Sequence, residues 1–187
     1  HRALGDTDFV INNPNAFFVR LFFLPHLDYK MDTELVDLFA RAGVNVVTLA
    51  IETLSQRFNK KIPFGKILFE NILELCLEFR GRGIRIDAYF VYGFPGQTKE
   101  EFDADIRAAE TLRASGAIDS VTFHFLTLLP ETSYYREALA RGMQESNYRK
   151  AVQEGYSWFR PIDEFNLSEV PIKYLADRVE IFGQAWV

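Results

Sequence analysis

Cysteine is nearly absent. Cys76 is the only one in 187 residues, which excludes an internal disulfide and any metal site built from several thiolates of this chain. Histidine is scarce too: His1, His26 and His124 show no metal-ligand spacing. No apolar run reaches the about 18 residues that a membrane-spanning helix needs, and no signal peptide is visible. Basic charge is in the minority, and a net charge of -5 argues against a general nucleic-acid or acidic-membrane surface. No internal repeat or low-complexity tract stands out. What remains is rich in hydrophobics, 48% with 18 Phe, enough core for one domain or one domain with a small appendage. A cytoplasmic α/β domain is the expectation.

The most informative stretch is Ile84 to Thr98, IRIDAYFVYGFPGQT. A largely apolar run ending at Tyr92 meets a Gly-Phe-Pro-Gly-Gln-Thr loop, and a charged helical pattern starts at Lys99. Thr98 with Glu101 three residues on forms a capping box. That is a buried strand, a tight loop and a helix start, one βα unit, and such loops carry ligands in α/β proteins.

The same rhythm recurs along the chain. Phe17 to Leu24 reads as a buried strand ended by Pro25, and a helix follows from Thr33, capped by Asp32, to Ala42, with Gly43 as its stop. Val44 to Ile51 is a second strand, ending at Glu52 before a polar loop, Thr53 to Lys61. Ile67 to Arg82 is helical through Leu68, Ile72, Leu75 and Phe79. The helix after the central loop runs to about Ser115 through Phe102, Ile106 and Ala109. Ser120 to Thr127 is a fourth strand, and a short helix spans Ser133 to Ala140. Residues 143–166 have no clear pattern beyond a loop at Trp158 to Pro161, and Ser168 to Trp186 is helical again. The fold class is therefore α/β: four successive parallel βα units with right-handed crossovers, plus C-terminal helices. A closed eight-stranded barrel needs about 250 residues, so four units form either an open sheet or part of a larger barrel. The division expected is an irregular segment 1–16, βα units over 17–142, and a helical extension 143–187. The start at His1, without an initiator Met, suggests a piece of a longer protein.

Each candidate for chemistry has a plainer alternative. Glu52, a carboxylate at a strand end, suits hydrogen bonds from ligand hydroxyls or a general base; it could equally cap the next turn. The 93–98 loop could present backbone groups to a planar base or a phosphate, although it lacks the Lys-Ser/Thr ending of a phosphate-binding Walker loop; it could also be only a well-made turn. His124 inside a strand suits core or barrel lining, and Cys76 suits core filling. Arg57, Lys60, Lys61 and Lys66 make the loop after Glu52 basic, for an anion or for solvent.

Three spaced signals belong together. Ala42-Gly43 precedes a strand ending Ile51-Glu52-Thr53; Gly93 to Thr98 and then Leu126 to Thr132 follow at two later strand ends. The ordered set, over residues 17–140, resembles the radical S-adenosylmethionine superfamily. The resemblance implies a six-stranded partial (βα)6 barrel of the TIM type, of which these would be strands three to six. It implies S-adenosylmethionine and a 4Fe–4S cluster whose three cysteines follow the first strand, hence lie outside this chain; Cys76 cannot substitute. Carried over by position, Glu52 would meet the ribose or the methionine end, Tyr92 and Gly93 would pass the adenine through backbone groups, and Thr127, Leu128 and Leu129 would complete the adenosine pocket. Gln97 would shape its loop, Lys61 or Lys66 would supply a basic group, and Glu131 stands where the family's turn has glycine. No catalytic residue and no metal ligand falls in this chain.

The resemblance extends to the subgroup with an upstream cobalamin-binding domain, including Mg-protoporphyrin monomethyl ester cyclases and methyltransferases. It implies radical chemistry on a small molecule, such as a tetrapyrrole, with no nucleic-acid partner. The isolated chain, without the missing N-terminal part, is expected to be inactive, with an exposed barrel edge that could dimerise. Two other readings stay open: another barrel enzyme with Glu52 as base, assisted by His26 or Asp28, and a non-catalytic interaction domain.

Overall fold

The computed structural model describes residues 19–23, 33–59, 68–157 and 160–183. Four strands, β1 (Val19–Phe23), β2 (Val44–Glu52), β3 (Arg85–Tyr92) and β4 (Ser120–Phe125), form one sheet in the order β1-β2-β3-β4. Strands β1 and β2 are parallel, with Leu21 opposite Val47 and a register shift between Val19 and Arg20. At one end of the β3–β4 pair the Asp119 N–H donates to the Ile86 carbonyl, and at the other the Leu126 N–H donates to Tyr92. Both strands therefore advance in the same direction, which is a parallel pairing. Parallel strands alternating with helices are what the periodicity predicts. The described residues pack as two compact units, one drawn from 1–89 with 108–121 and the other from 90–107 with 122–187.

In the first unit, α1 (Thr33–Arg41) stops at Gly43, whose φ of 78° is the left-handed conformation that glycine adopts without steric cost. Strand β2 is buried from Val46 to Ile51, which explains its unbroken apolar run: both faces are covered. A short helix, α2 (Gln56–Asn59), occupies part of the segment expected to be a loop after Glu52. Helix α3 (Phe69–Gly81) buries Ile72, Leu75, Cys76 and Phe79 at helical spacing. Phe79 stacks on Phe39 of α1, with ring centroids 6.0 Å apart. The Arg80 guanidinium donates to both Asp119 carboxylate oxygens, at 2.7 and 2.8 Å, and Asp119 also accepts the Ile86 N–H. That ties the end of α3 to the starts of β3 and β4. Asp32, Lys60, Lys61 and Lys66 lie outside the described residues, as do His26, Asp28 and the ends of the first strand.

The second unit is built on aromatic rings. Alternation along β4 buries Phe123 and Phe125 in this unit. Phe123 lies 5.3 Å from Phe90 and 5.2 Å from Phe182, while Tyr92 lies 5.6 Å from both Phe102 and Phe125. Helix α4 (Lys99–Ala114) starts with the capping box: the Thr98 N–H donates to Glu101 at 3.0 Å, and the Glu101 N–H donates to the Thr98 hydroxyl at 3.3 Å.

After α5 (Ser133–Ala140) comes α6 (Glu145–Gln153), in the stretch that has no clear sequence pattern. Its nine residues are mostly polar and bury only Tyr148 and Ala151, too few positions for a periodic signal. The last helix, α7 (Ile172–Val179), begins four residues later than Ser168. Ser168 is instead held in a turn, its hydroxyl hydrogen-bonded to Asn166 and Val170. Such side-chain bonds to nearby groups compete with helix formation. Tyr174 of α7 donates to Asp103 of α4 at 2.8 Å.

Phe123 is fully buried among four rings of this unit. Phe123→Ala is expected to lower unfolding stability by about 3–5 kcal/mol in urea titrations; a loss below about 1 kcal/mol would contradict this packing.

Candidate functional site

Glu52 is the last residue of β2 and one of two non-glycine residues with positive φ among those described, at 64°. The Thr53 N–H donates back to the Ile51 carbonyl at 2.8 Å, so Glu52 is the centre of a γ-turn of the rarer, strained hand. The turn is fixed from the far side: Thr53 is wholly buried, and its hydroxyl accepts the Ser55 N–H at 3.0 Å. Strain of this kind at a strand end aims a side chain and concentrates at functional sites. The Glu52 carboxylate is half-buried and accepts a hydrogen bond from the Tyr89 hydroxyl. Burial holds its carboxyl above the usual carboxylate range, and the Tyr89 bond pulls it part of the way back. Tyr89 is pushed up to about 12, first by burial and then by the Glu52 charge and hydrogen bond.

Tyr89 carries no signal in the sequence reading. Strand β3 is not covered on both faces as its apolar run suggests: Ile86, Ala88, Phe90 and Tyr92 are buried, while Asp87, Tyr89 and Val91 are half-exposed on the other face. Counting period two from Asp87 would have placed Tyr89 on that face.

The loop after β3 belongs to the second unit. Gly93 has a φ of 87°, and a Cβ there would lie 2.6 Å from the Phe125 ring. Glycine is required on both counts. Gln97 is wholly buried, and its Oε1 accepts the N–H groups of Gly93, at 2.7 Å, and Phe94, at 3.3 Å. Two donors on one oxygen fix which way the amide points. Gln97 thus braces the loop, and the Gly93 N–H is spent internally. The Tyr92 side chain faces the core, its phenol driven upward by burial, and its carbonyl accepts the Leu126 N–H.

After β4, the Thr127 hydroxyl turns back to the Phe125 carbonyl at 3.3 Å. Leu128 is wholly buried, whereas Leu129 is 54% exposed. The Leu129 carbonyl accepts the Thr132 hydroxyl at 2.6 Å, and the same hydroxyl caps α5 at Tyr135. Glu131 adopts a φ of 68°, so the turn where the family has glycine is kept, with a strained residue in it.

His124 is half-buried, and burial lowers its imidazole, keeping it neutral at pH 7. Cys76 lies in the core with its thiol pushed up to about 12, an unreactive filler. The Arg57 guanidinium sits 4.4 Å over the Phe58 ring. Among the described residues, no group of three or more His, Cys, Asp or Glu side chains could hold a metal ion, and no helix is long and apolar enough to cross a membrane.

Because the Glu52 carboxyl is raised, its sign is set. The group favours the folded state below its ordinary value, and that contribution is lost as pH rises through the higher folded value. Glu52→Gln keeps an acceptor for Tyr89 and removes the buried charge. The variant is expected to resist urea better than the parent sequence at pH 8 and to converge with it near pH 4. A variant less stable at pH 8 would contradict the burial of this carboxylate.

Residues 22–109 match the Radical SAM superfamily. The chain is 29% identical over 136 residues to cytidylyl-2-hydroxyethylphosphonate methyltransferase of Streptomyces wedmorensis, a match covering 68% of this chain and 25% of that protein. Among solved structures it is similar to the radical S-adenosylmethionine methyltransferase TsrM of Kitasatospora setae, with cobalamin and a [4Fe-4S] cluster bound. That likeness has a TM-score of 0.55 at 22% identity, over 66% of this chain and 24% of TsrM. Coproporphyrinogen III oxidase (HemN) of Escherichia coli, a radical SAM enzyme, matches with a TM-score of 0.51 at 15% identity, over 78% of this chain and 34% of HemN. The chain thus spans about a quarter of the length of the methyltransferases it matches. The match over residues 22–109 includes the strand ends at Glu52 and at Gly93 to Thr98, and over that segment the chain resembles the radical SAM superfamily.

Proposed function

We propose that this chain provides the adenosine-side strand ends of a radical SAM domain, and that the complete polypeptide is a methyl-transferring enzyme acting on a small molecule. The observation that carries the reading is Glu52: a half-buried carboxylate in a strained turn, oriented by Tyr89, at the end of the strand that the superfamily match includes. In this reading Glu52 accepts hydrogen bonds from ribose hydroxyls or from the methionine ammonium. The Tyr92 and Gly93 carbonyl edge accepts from the adenine amine. Thr127, Leu128 and Leu129 complete the adenosine pocket, with exposed Leu129 offering the apolar contact that a base prefers.

The donor set fits the group. Carboxylate and carbonyl acceptors suit a ligand rich in hydroxyl and amino donors. The 4Fe–4S cluster fits no described residue of this chain, and its ligands are assigned to the missing N-terminal part. Bound together, the cluster and S-adenosylmethionine supply reductive cleavage of the cofactor and radical chemistry on the substrate. The chain's own residues bind, orient and exclude water.

Methyl transfer is favoured over oxidation because two of the three relatives above are methyltransferases. Cobalamin in an upstream domain accords with the TsrM likeness. A tetrapyrrole is not singled out, since the relatives' names span a cytidylyl phosphonate and a porphyrinogen. The isolated 187 residues are inactive in this reading, since a single cysteine cannot supply the three thiolates that the cluster needs, and a cytoplasmic location goes with it.

Titrating S-adenosylmethionine into the complete polypeptide and its Glu52→Ala form tests the assignment. Loss of a buried charged hydrogen bond is expected to weaken affinity about 10-fold or more. Equal affinities would sink the role given to Glu52.

A further inference from the structure

The segment after α5 is tied to both loops of the second unit. The Gly96 N–H donates to the Leu167 carbonyl at 2.8 Å, and the Glu169 N–H donates to the Gln97 carbonyl at 3.0 Å. Two tyrosines grip a single residue, Leu128, on the other loop. The Tyr148 hydroxyl donates to the Leu128 carbonyl at 2.6 Å, and the Leu128 N–H donates to the Tyr156 hydroxyl at 3.0 Å. The two phenols are locked by their neighbours. Tyr148 meets Tyr135 edge-on at 4.9 Å, and Tyr156 meets Phe165 edge-on at 4.9 Å. Leu128, Tyr135, Met143, Tyr148, Tyr156 and Phe165 share one buried cluster.

An irregular loop needs partners for its buried backbone groups, and these come from 20 and 28 residues downstream. Stability alone could be served by ring packing. Two hydroxyls on the successive peptide groups either side of the Leu128 Cα do something further: they fix the orientation of both, and with it the positions of Thr127 and Leu129.

We propose that Tyr148 and Tyr156 are positioning residues that hold the loop after β4 in its ligand-competent shape through the backbone N–H and carbonyl of Leu128. The inference rests on the reading that this loop lines the adenosine pocket. A loop freed from the clamp occupies the competent shape only part of the time, and apparent affinity falls by that fraction. The burden falls on cofactor binding, and turnover at saturation is spared.

The test uses the complete, reconstituted polypeptide with Tyr156→Phe and Tyr148→Phe, and Met143→Ala as a control that thins the same cluster and leaves both phenol hydroxyls in place. Amide exchange of the 126–129 segment and S-adenosylmethionine affinity are read together. The Phe variants are expected to exchange faster there and to bind about 3- to 10-fold more weakly with kcat nearly unchanged, whereas Met143→Ala lowers Tm and leaves affinity intact. Unchanged exchange and affinity in both Phe variants would overturn the proposal. So would a Met143→Ala variant that loses as much affinity as they do, because the effect would then be general destabilisation. If exchange responds but the parent sequence binds no S-adenosylmethionine, the proposed function fails while the clamp on the loop stands.

Discussion

The second unit depends on one close approach. At Gly93 the backbone passes so near the Phe125 ring that no side chain fits, and the chain there takes a positive φ. Everything downstream is arranged to keep that turn. Gln97 holds the first two N–H groups of the loop, the Thr98–Glu101 box starts α4 immediately after it, and the 167–169 backbone closes over the loop's far side. The result is a loop whose N–H groups are spent within the chain. A loop of this kind cannot cradle a phosphate through its amides, which removes one of the two uses that its glycines suggested.

The first unit solves a related problem by strain. Glu52 needs no neighbouring glycine; its own backbone bends, and a buried Thr53 secures the bend. A carboxylate held this way is oriented by its hydrogen bond from Tyr89. Burial that raises its proton affinity makes charge there costly unless a cation or several hydroxyls compensate. That cost is a physical reason for such a group to select a polyhydroxylated or ammonium-bearing partner.

Local chemistry was legible in the residue order. The capping box, α5 at Ser133 to Ala140 and the stop at Gly43 each rest on contacts within a few residues, and the structure has them where the spacing puts them. Glu52 and Gly93 could be picked out because strand ends are marked by where apolar runs stop. Their partners could not. Tyr89 reaches Glu52 from a neighbouring strand, and Phe125 reaches Gly93 from another. Tyr148 and Tyr156 meet Leu128 only because α6, polar on most of its surface, folds back. Such pairings are set by topology, and a run such as ESNYRKAVQ has too few apolar positions to announce its buried face.

The central claim is that these strand ends serve a domain that binds S-adenosylmethionine beside an iron–sulfur cluster. The measurement that tests it most directly is electron paramagnetic resonance of the complete polypeptide, reconstituted anaerobically with iron and sulfide and then reduced. The account predicts a 4Fe–4S signal that changes on adding S-adenosylmethionine. A polypeptide that assembles no cluster, or whose signal the cofactor leaves unchanged, would contradict it.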